Sequence, residues 1–228
     1  MQEILRLPHA VAVSAAAFGA GDRFLITTSS DQLTPPHALT LWPWKLAMLV
    51  EEACARLDRN LSLEEWRQHL PEEKYRRTCP ARPTHVSVLA PLFERAKAAA
   101  QAGRGREAGA LYAELAREAA DTDDSGDANQ LCWMGALDGA ARAVLPLCER
   151  AITLLPEDGS VRDSRGLARA LLGDRAGAIE DFSAFVAWAR KADPGSALIA
   201  KREGWIAALR AGRDPFDPAT RQALRKGE

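Results

Sequence analysis

Three arginines on one predicted helix are the first candidates for binding chemistry. Arg162, Arg165 and Arg169 are spaced i, i+3 and i+7, which places them on one helical face. A guanidinium donates two parallel hydrogen bonds to a carboxylate or phosphate, so this face could bind such a group on a partner. The alternative is local ion pairing with acidic residues. The candidates for that pairing are Asp163, Glu149, Asp138 and Asp181.

No residue pattern in the chain predicts a catalytic reaction. Cys54, His69, Cys79 and His85 have side chains that bind zinc, but their spacings of 15, 10 and 6 residues match no familiar ligand pattern. The signatures of cysteine proteases, phosphate loops, dinucleotide-binding loops, zinc proteases and serine hydrolases are not found. We therefore predict a protein that is not an enzyme, with no catalytic residue, metal or cofactor. A cysteine- or metal-dependent hydrolase is the weaker alternative.

The composition restricts the partners and the compartment. The chain has 228 residues, of which 47% are apolar, which is enough for a sizeable core. Its 30 Lys and Arg against 31 Asp and Glu give a formal net charge of -1, so no overall field favours nucleic acid or an anionic membrane. The four cysteines contain no CxxC pair, and no signal peptide or membrane-spanning run is recognisable. These features predict a cytoplasmic protein with reduced thiols and no membrane contact.

The first 44 residues have the pattern of a small antiparallel sheet. Residues 11–18 and 24–28 are apolar runs joined by a glycine-rich turn, and a third run over 38–44 ends in two tryptophans. Residues 3–7 can add a short strand before them. Four strands in this length match one propeller blade of about 40 to 45 residues.

Three short motifs in this segment lie where a known repeat family has its turns and its third strand. They are Leu7-Pro8-His9, Gly21-Asp22 and Leu41-Trp42. With them the segment resembles the last blade of a WD-repeat propeller, and an ordinary β-meander is the alternative. One blade cannot close a propeller, which needs about four to eight. We therefore expect these strands to associate with another sheet or to fold back on the helices after them.

Residues 45–85 form a predicted helical connector. Apolar residues recur at three- and four-residue spacing over 46–57, and Ser62 with Glu65 has the signature of a capping box for a second, short helix. The connector contains three distinctive strings: Cys54-x-x-Leu57-x-Arg59-Asn60-Leu61, Glu65-Trp66 and Tyr75-Arg76-x-Thr78-Cys79-Pro80. They resemble the tail that follows bacterial WD-repeat propellers, which supports the assignment of the blade.

From residue 86 onward the chain has the spacing of paired helices. Gly139 and Gly173, two predicted interhelix turns, are 34 residues apart, and an earlier unit has its turn at Gly103. Gly166 and Phe182 lie where a close helix contact and a large apolar plug are expected. On these positions, residues 86–212 resemble a tetratricopeptide array of about two and a half repeats, followed by a capping end.

The predicted fold class is therefore mainly α. We expect a tetratricopeptide-like αα solenoid with a small N-terminal antiparallel β-meander that is WD-repeat-like. The predicted regions are the terminal blade (1–44), the helical connector (45–85) and the helical repeats with their C-terminal cap (86–228).

The resemblance also implies where a partner binds, because the first helices of tetratricopeptide pairs line a concave groove. Asn129 and Asp163 are one repeat apart, as are Trp133, Leu167 and Lys201. An aromatic ring flanked by polar groups suits an extended or helical peptide, although Trp133 is equally compatible with the core. The predicted partner-binding residues are Asn129, Trp133, Asp163, Arg162, Arg165, Arg169 and Lys201.

Two functions from different classes are consistent with this organisation. The first is a non-catalytic interaction, scaffold or sensor module that binds a protein or peptide in the helical groove, as the resemblance to signalling proteins implies. The second is a regulatory subunit that completes another chain's β-propeller by strand addition, because an exposed edge strand promotes aggregation unless it is paired. Neither function involves nucleic acid.

Overall fold

The computed structural model describes residues 7–8, 12–19, 21–22, 24–31, 34–43 and 45–227. The chain is mainly helical with a small antiparallel sheet near the N-terminus, so this part of the predicted fold class is confirmed. It divides between Asp58 and Arg59 into two units, within the predicted connector. The predicted strand over 3–7 lies outside the described residues, apart from Leu7, which is not in a strand.

The first unit contains a sheet with the strand order β1-β2-β3. Its elements are β1 (Val13–Gly19), β2 (Phe24–Asp31), β3 (Thr34–Pro43) and the following helix α1 (Leu46–Arg56). Both strand pairs are antiparallel, with Phe18 opposite Leu25 and Leu25 opposite Trp42. The Trp42 indole donates a hydrogen bond to Thr27 Oγ1 at 2.8 Å, which fixes the register across β2 and β3.

Large apolar side chains of this sheet are exposed on both of its faces. Phe18 is 58% exposed on the face that it shares with Leu25. Leu39 and Leu41 are 61% and 51% exposed, and they lie on the opposite face because side chains alternate along a strand. No residue of α1 is buried. The described part of the first unit therefore leaves apolar surface open on both sides of the sheet.

The second unit is built from helices. They are α2 (Leu63–His69), α3 (Val86–Gln101), α4 (Gly105–Glu118), α5 (Ser125–Gly135), α6 (Ala141–Leu154), α7 (Gly159–Leu171), α8 (Arg175–Ala192), α9 (Ala197–Arg210) and α10 (Pro218–Arg225). A π-helical turn, Ala136–Ala140, joins α5 to α6. Helices α3 and α4, α5 and α6, and α7 and α8 pack as pairs, and α6 also packs on α7 and α8 on α9.

A glycine with positive φ follows the first helix of each pair, and another follows α9. These residues are Gly103, Gly139, Gly173 and Gly212, with φ of 73°, 85°, 85° and 74°. Glycine suits these turns because a side chain strains this backbone conformation. In three of the turns the backbone N–H of the residue after the glycine donates a 2.9 Å hydrogen bond to the carbonyl five residues earlier. These bonds run from Arg104 to Ala99, from Asp174 to Arg169 and from Arg213 to Ala208. The turn at Gly212 was not predicted from the sequence.

Close helix packing at Gly166 organises the larger core cluster. A Cβ on Gly166 would lie 2.9 Å from Cε1 of Phe182, which is fully buried, so only glycine lets α7 and α8 approach at this point. The Phe182 ring also contacts Trp205 and Phe216, with centroid separations of 5.3 and 6.1 Å. Gly166 and Phe182 therefore take the packing positions predicted for them.

Cys132 on α5 and Cys148 on α6 form a disulfide with a Cα–Cα separation of 5.1 Å. The prediction of reduced thiols is therefore wrong, and none of the four cysteines, all of them described, is free. The separation of 16 residues does not by itself predict this disulfide, because the two cysteines come together only when α5 packs on α6. Disulfides persist chiefly in oxidising compartments, so the cysteines do not support a cytoplasmic location.

We expect the variant C132A/C148A to lose about 3 kcal/mol of unfolding free energy, since the bond constrains a 16-residue separation in the unfolded chain. Urea denaturation of wild type and variant gives the difference. As the control, wild type and variant are both unfolded and refolded in a reductant, and under those conditions the difference between them should largely disappear. Non-reducing peptide mapping that found the two cysteines unlinked would contradict the prediction.

The segment Ser125–Leu154 is, by length and composition alone, a weak candidate for a membrane-spanning helix. Its backbone is not helical at Gly139, and α5 packs against α6. In a continuous helix the Cα atoms of Cys132 and Cys148 would be about 24 Å apart, not in disulfide contact. The segment is an antiparallel helix pair, which is compatible with a soluble protein.

Asn60 is the polar centre of the segment before α3. It is 1% exposed, and its amide nitrogen donates to the carbonyls of Cys79, Arg82 and Pro83 at 3.2, 2.8 and 2.9 Å. Its carbonyl oxygen accepts from the backbone of Cys79 at 2.8 Å and from Thr78 Oγ1 at 3.2 Å. One side chain thus holds a loop that has no regular secondary structure.

The other motif residues of the connector also have structural partners. Ser62 and Glu65 form the predicted capping box at the start of α2, and Arg59 donates two 2.8 Å hydrogen bonds to Glu65, which with the cap holds the pKa of that carboxyl well below its usual range. The buried Trp66 indole donates to Glu73 O at 2.9 Å, and its ring packs on Tyr75 at 5.3 Å. These contacts hold the residues of the three strings together in one ordered segment.

The chain after α9 returns to an earlier helix pair. Phe216 is buried against Trp205, with a centroid separation of 4.8 Å, and Leu224 joins the same core. Arg225 donates to Asp138 Oδ1 at 2.8 Å and to the carbonyl of Leu137. Asp138 also accepts a 2.6 Å bond from Tyr112. The predicted capping end is therefore anchored to the α5–α6 turn.

Candidate functional site

A buried ion pair joins α7 to α9. Arg202 Nε and Nη2 donate to Asp163 Oδ1 and Oδ2 at 2.8 and 2.5 Å. Asp163 is 6% exposed and Arg202 4%. Burial raises the pKa of Asp163, and the two hydrogen bonds from Arg202 oppose that rise. Asp163 therefore acts as a link between helices and not as a free contact for a partner.

Three aromatic rings surround the Arg202 guanidinium. Its central carbon lies 4.1 Å from the ring centroid of Trp205, 5.5 Å from Phe185 and 5.7 Å from Trp133. These distances are typical of cation–π contacts. Trp133 is partly buried and packs against the core, which is what the core interpretation of this tryptophan predicts.

Asn129, Asp163 and Arg202 occupy equivalent positions on α5, α7 and α9. Each lies ten residues before the turn glycine that follows, at Gly139, Gly173 and Gly212 respectively. A fixed step of 34 residues along the sequence aligned Lys201 with Leu167. The structure has 39 residues between the last two turns, so that alignment is wrong and Ile206 is the counterpart of Leu167. The turn at Gly212, which was not predicted, is the feature that places Arg202 in this series.

Two atoms of this polar series are buried without a hydrogen-bond partner in the described part of the chain. They are Asn129 Oδ1 and Arg202 Nη1. The Arg202 nitrogen belongs to the guanidinium enclosed by the three rings, which offer a π-face in place of an acceptor.

Arg165 and Arg169 belong to a second ion-pair network, between α7, α8 and α6. Arg165 Nε and Nη2 donate to the two oxygens of Asp181 at 2.9 and 2.7 Å, and Nη1 donates to Glu149 Oε2 at 2.7 Å. Hydrogen bonding to Asp181 raises the pKa of Arg165. Arg169 Nη1 donates to Asp181 Oδ2 at 3.0 Å. Both arginines thus follow the local-pairing alternative.

Arg162 does not share this network. Its Nη2 donates a long 3.4 Å hydrogen bond to the carbonyl of Pro156, and the side chain is partly exposed. It lines a cleft with Trp188 and Lys191. The three arginines that the sequence placed on one face therefore divide into two structural arginines and one that faces a different surface.

An open cleft lies between α3 and α5, and we call it the α3–α5 cleft. Its first part is mainly apolar and is lined by Val86, Leu89, Ala90, Phe93, Leu131, Asp127 and Gln130. Its second part has a volume of about 340 Å³ and is lined by Phe93, Lys97, Gln101, Gln130, Met134, Asp138 and Arg225. Phe93 and Gln130 line both parts, so the two parts are adjacent. The cleft was not predicted from the sequence.

His85, one of the residues considered for metal or nucleophile chemistry, has a structural role. His85 Nδ1 accepts from the Ser87 backbone at 3.2 Å and caps α3. Nowhere in the described ranges do three His, Cys, Asp or Glu residues come together as a group that could hold a metal ion. The structure offers no free thiol for a cysteine nucleophile, since all four cysteines are described.

Comparison with known proteins does not assign the chain to a family, since no family model matches it and no curated protein matches it.

Proposed function

We propose that the protein is a non-catalytic interaction module whose helix pairs form a tetratricopeptide-like solenoid. The observation that supports it is the recurring turn: glycines with positive φ follow α3, α5, α7 and α9, and three of the turns share one hydrogen-bond pattern. Repeated helix pairs that stack on their neighbours are typical of solenoids, which bind partners along extended surfaces. In this proposal α3, α5, α7 and α9 form the binding face.

The α3–α5 cleft is the part of this face with the best chemistry for a peptide. Val86 and Phe93 offer an apolar contact, and Val86 is 52% exposed. Gln101 and Gln130 make no hydrogen bond from their side chains among the described residues, so their amides are available to a peptide main chain. The buried Asp163–Arg202 pair supports the face from within. We therefore expect an extended or helical segment of a partner protein to bind here.

Site-specific photo-crosslinking tests this function. A photoreactive amino acid at Gln130 should capture a partner that the same residue at Glu114, exposed on α4, does not capture. The captured protein is then purified, and its affinity is measured for wild type, Gln130→Ala and Phe93→Ala. We expect each substitution to weaken binding about tenfold, as anchor residues of an interface do. Equal capture at both positions, or unchanged affinities, would contradict the proposal.

A second candidate function is supported by the sheet of the first unit. Phe18 on one face and Leu39 and Leu41 on the other are exposed, a pattern expected of a sheet that is covered on both sides. Association with another β-sheet, as in a WD-repeat propeller, would cover them. Light scattering of the full chain and of Leu39→Ser/Leu41→Ser tests this: loss of association in the variant supports the candidate, and an unchanged monomer argues against it.

A further inference from the structure

A second cleft lies between the start of α7 and the end of α8, and we call it the Trp188 cleft. Its volume is about 360 Å³, and its main lining residues are Glu157, Gly159, Arg162, Ala187, Trp188 and Lys191. It shares no lining residue with the α3–α5 cleft. It is therefore a separate surface, and a ligand bound there would add a function to that of the proposed groove.

Trp188 is held in place but remains open to solvent. The indole packs directly on the backbone of Gly159, where an added Cβ would lie 2.7 Å from Trp188 Cβ and Cγ. Phe185 packs on the same indole with a ring separation of 5.9 Å. The residue is nevertheless 37% exposed. A rigid, partly exposed indole loses little conformational entropy when a ligand covers it, which is a property of interface anchors.

Two cations without a salt bridge lie beside this indole. Over residues 45–227, Arg162 and Lys191 form no ion pair, in contrast with Arg165 and Arg169 on the same helix as Arg162. The carbonyl of Pro156 is the acceptor for Arg162, at 3.4 Å. Glu157 also lines the cleft, so the local charge of these three side chains is one positive. The two cations are therefore available to bind an anion in the cleft.

The geometry points to a binding site for an acidic segment of a partner protein. A carboxylate would lie between Arg162 and Lys191, and the neighbouring apolar side chain would pack on Trp188. Charge-assisted hydrogen bonds from a guanidinium suit a carboxylate, and the indole adds apolar contact area next to it. Because the cleft can hold one or two side chains, the segment contributes an acidic residue with an adjacent bulky apolar residue.

The test uses the full chain and two small probes, acetyl-Phe-Asp-amide and acetyl-Phe-Asn-amide, which differ in one charge. Binding is followed by NMR of the tryptophan indole N–H signals at constant ionic strength, with the Trp188 signal assigned from Trp188→Phe. We expect the Asp probe to shift the Trp188 signal saturably and to bind about tenfold more tightly than the Asn probe. Equal binding of the two probes, or no saturable shift at about 10 mM, would overturn the inference.

Substitutions at the cleft identify the groups responsible. Arg162→Gln and Lys191→Gln should each weaken the Asp probe about fivefold, and Glu157→Gln should strengthen it, because removing the local negative charge favours an anion. Arg142→Gln, an exposed arginine on α6, is the matched control and should have no effect. Inorganic phosphate that shifts the Trp188 signal as strongly as the Asp probe would show a general anion site and overturn the peptide assignment.

The two clefts can be tested independently. Arg162→Gln leaves the α3–α5 cleft intact, and Gln130→Ala leaves the Trp188 cleft intact. Urea denaturation checks that the cleft variants keep the wild-type unfolding free energy, as expected for side chains that make no ion pair.

Discussion

Asp163→Leu is expected to lower the free energy of unfolding by about 3 to 5 kcal/mol. The substitution removes the only carboxylate that pairs with Arg202 in the described residues, and Arg202 is 4% exposed. A buried guanidinium without its counter-ion loses two hydrogen bonds and keeps its desolvation penalty. Urea denaturation monitored by circular dichroism measures the loss.

The double variant D163L/R202M separates this mechanism from a simple packing defect. It replaces both charges with apolar side chains, so we expect it to regain most of the lost stability, since a buried pair can often be replaced by hydrophobic residues at little cost. A double variant as unstable as Asp163→Leu would show that the ion pair is not the cause. A loss below about 1 kcal/mol in the single variant would show that Arg202 finds another partner.

Asn60→Ala has the second large expected effect, a loss of about 3 to 5 kcal/mol. The amide of Asn60 makes five hydrogen bonds to the loop before α3, and the residue is 1% exposed. Alanine leaves several of these groups without a partner in a buried place. The backbone N–H of Cys79 should then exchange with solvent faster, which hydrogen-exchange mass spectrometry detects.

Asn129→Ala is the matched control for this substitution. Asn129 Oδ1 is also buried, but it accepts no hydrogen bond in the described part of the chain. Its removal should therefore change stability by less than about 1 kcal/mol or increase it. If the two alanine variants lose equal stability, the hydrogen bonds of Asn60 are not what holds the loop.

Much of the helical unit could be predicted from turn glycines and apolar spacing, because both are local. Gly103, Gly139 and Gly173 mark turns that each depend on a few neighbouring residues. The capping box at Ser62 and Glu65 was predictable for the same reason. Whether the pairs form a tetratricopeptide-like solenoid, and whether the sheet is a propeller blade, stay predictions.

The features that could not be predicted from the sequence depend on contacts between residues far apart in the chain. Arg202 pairs with Asp163 across 39 residues, and a fixed repeat step selected Lys201 instead. The Cys132–Cys148 bond depends on how two helices pack, which spacing does not encode. The two clefts are likewise properties of packed surfaces. The sequence also could not show that Arg165 and Arg169 are paired while Arg162 is not, because the partners Asp181 and Glu149 lie on other helices.

The bond between Arg225 and Asp138 affects how the helical unit unfolds. In an ordinary repeat array each unit contacts only its neighbours, so the ends can fray while the middle stays folded. Here the last helix is joined to the α5–α6 turn across 87 residues, which raises the contact order of the chain. Unfolding of the terminal helix would therefore destabilise the second helix pair, α5 and α6. The unit gains a cooperativity of unfolding that a strictly one-dimensional array lacks.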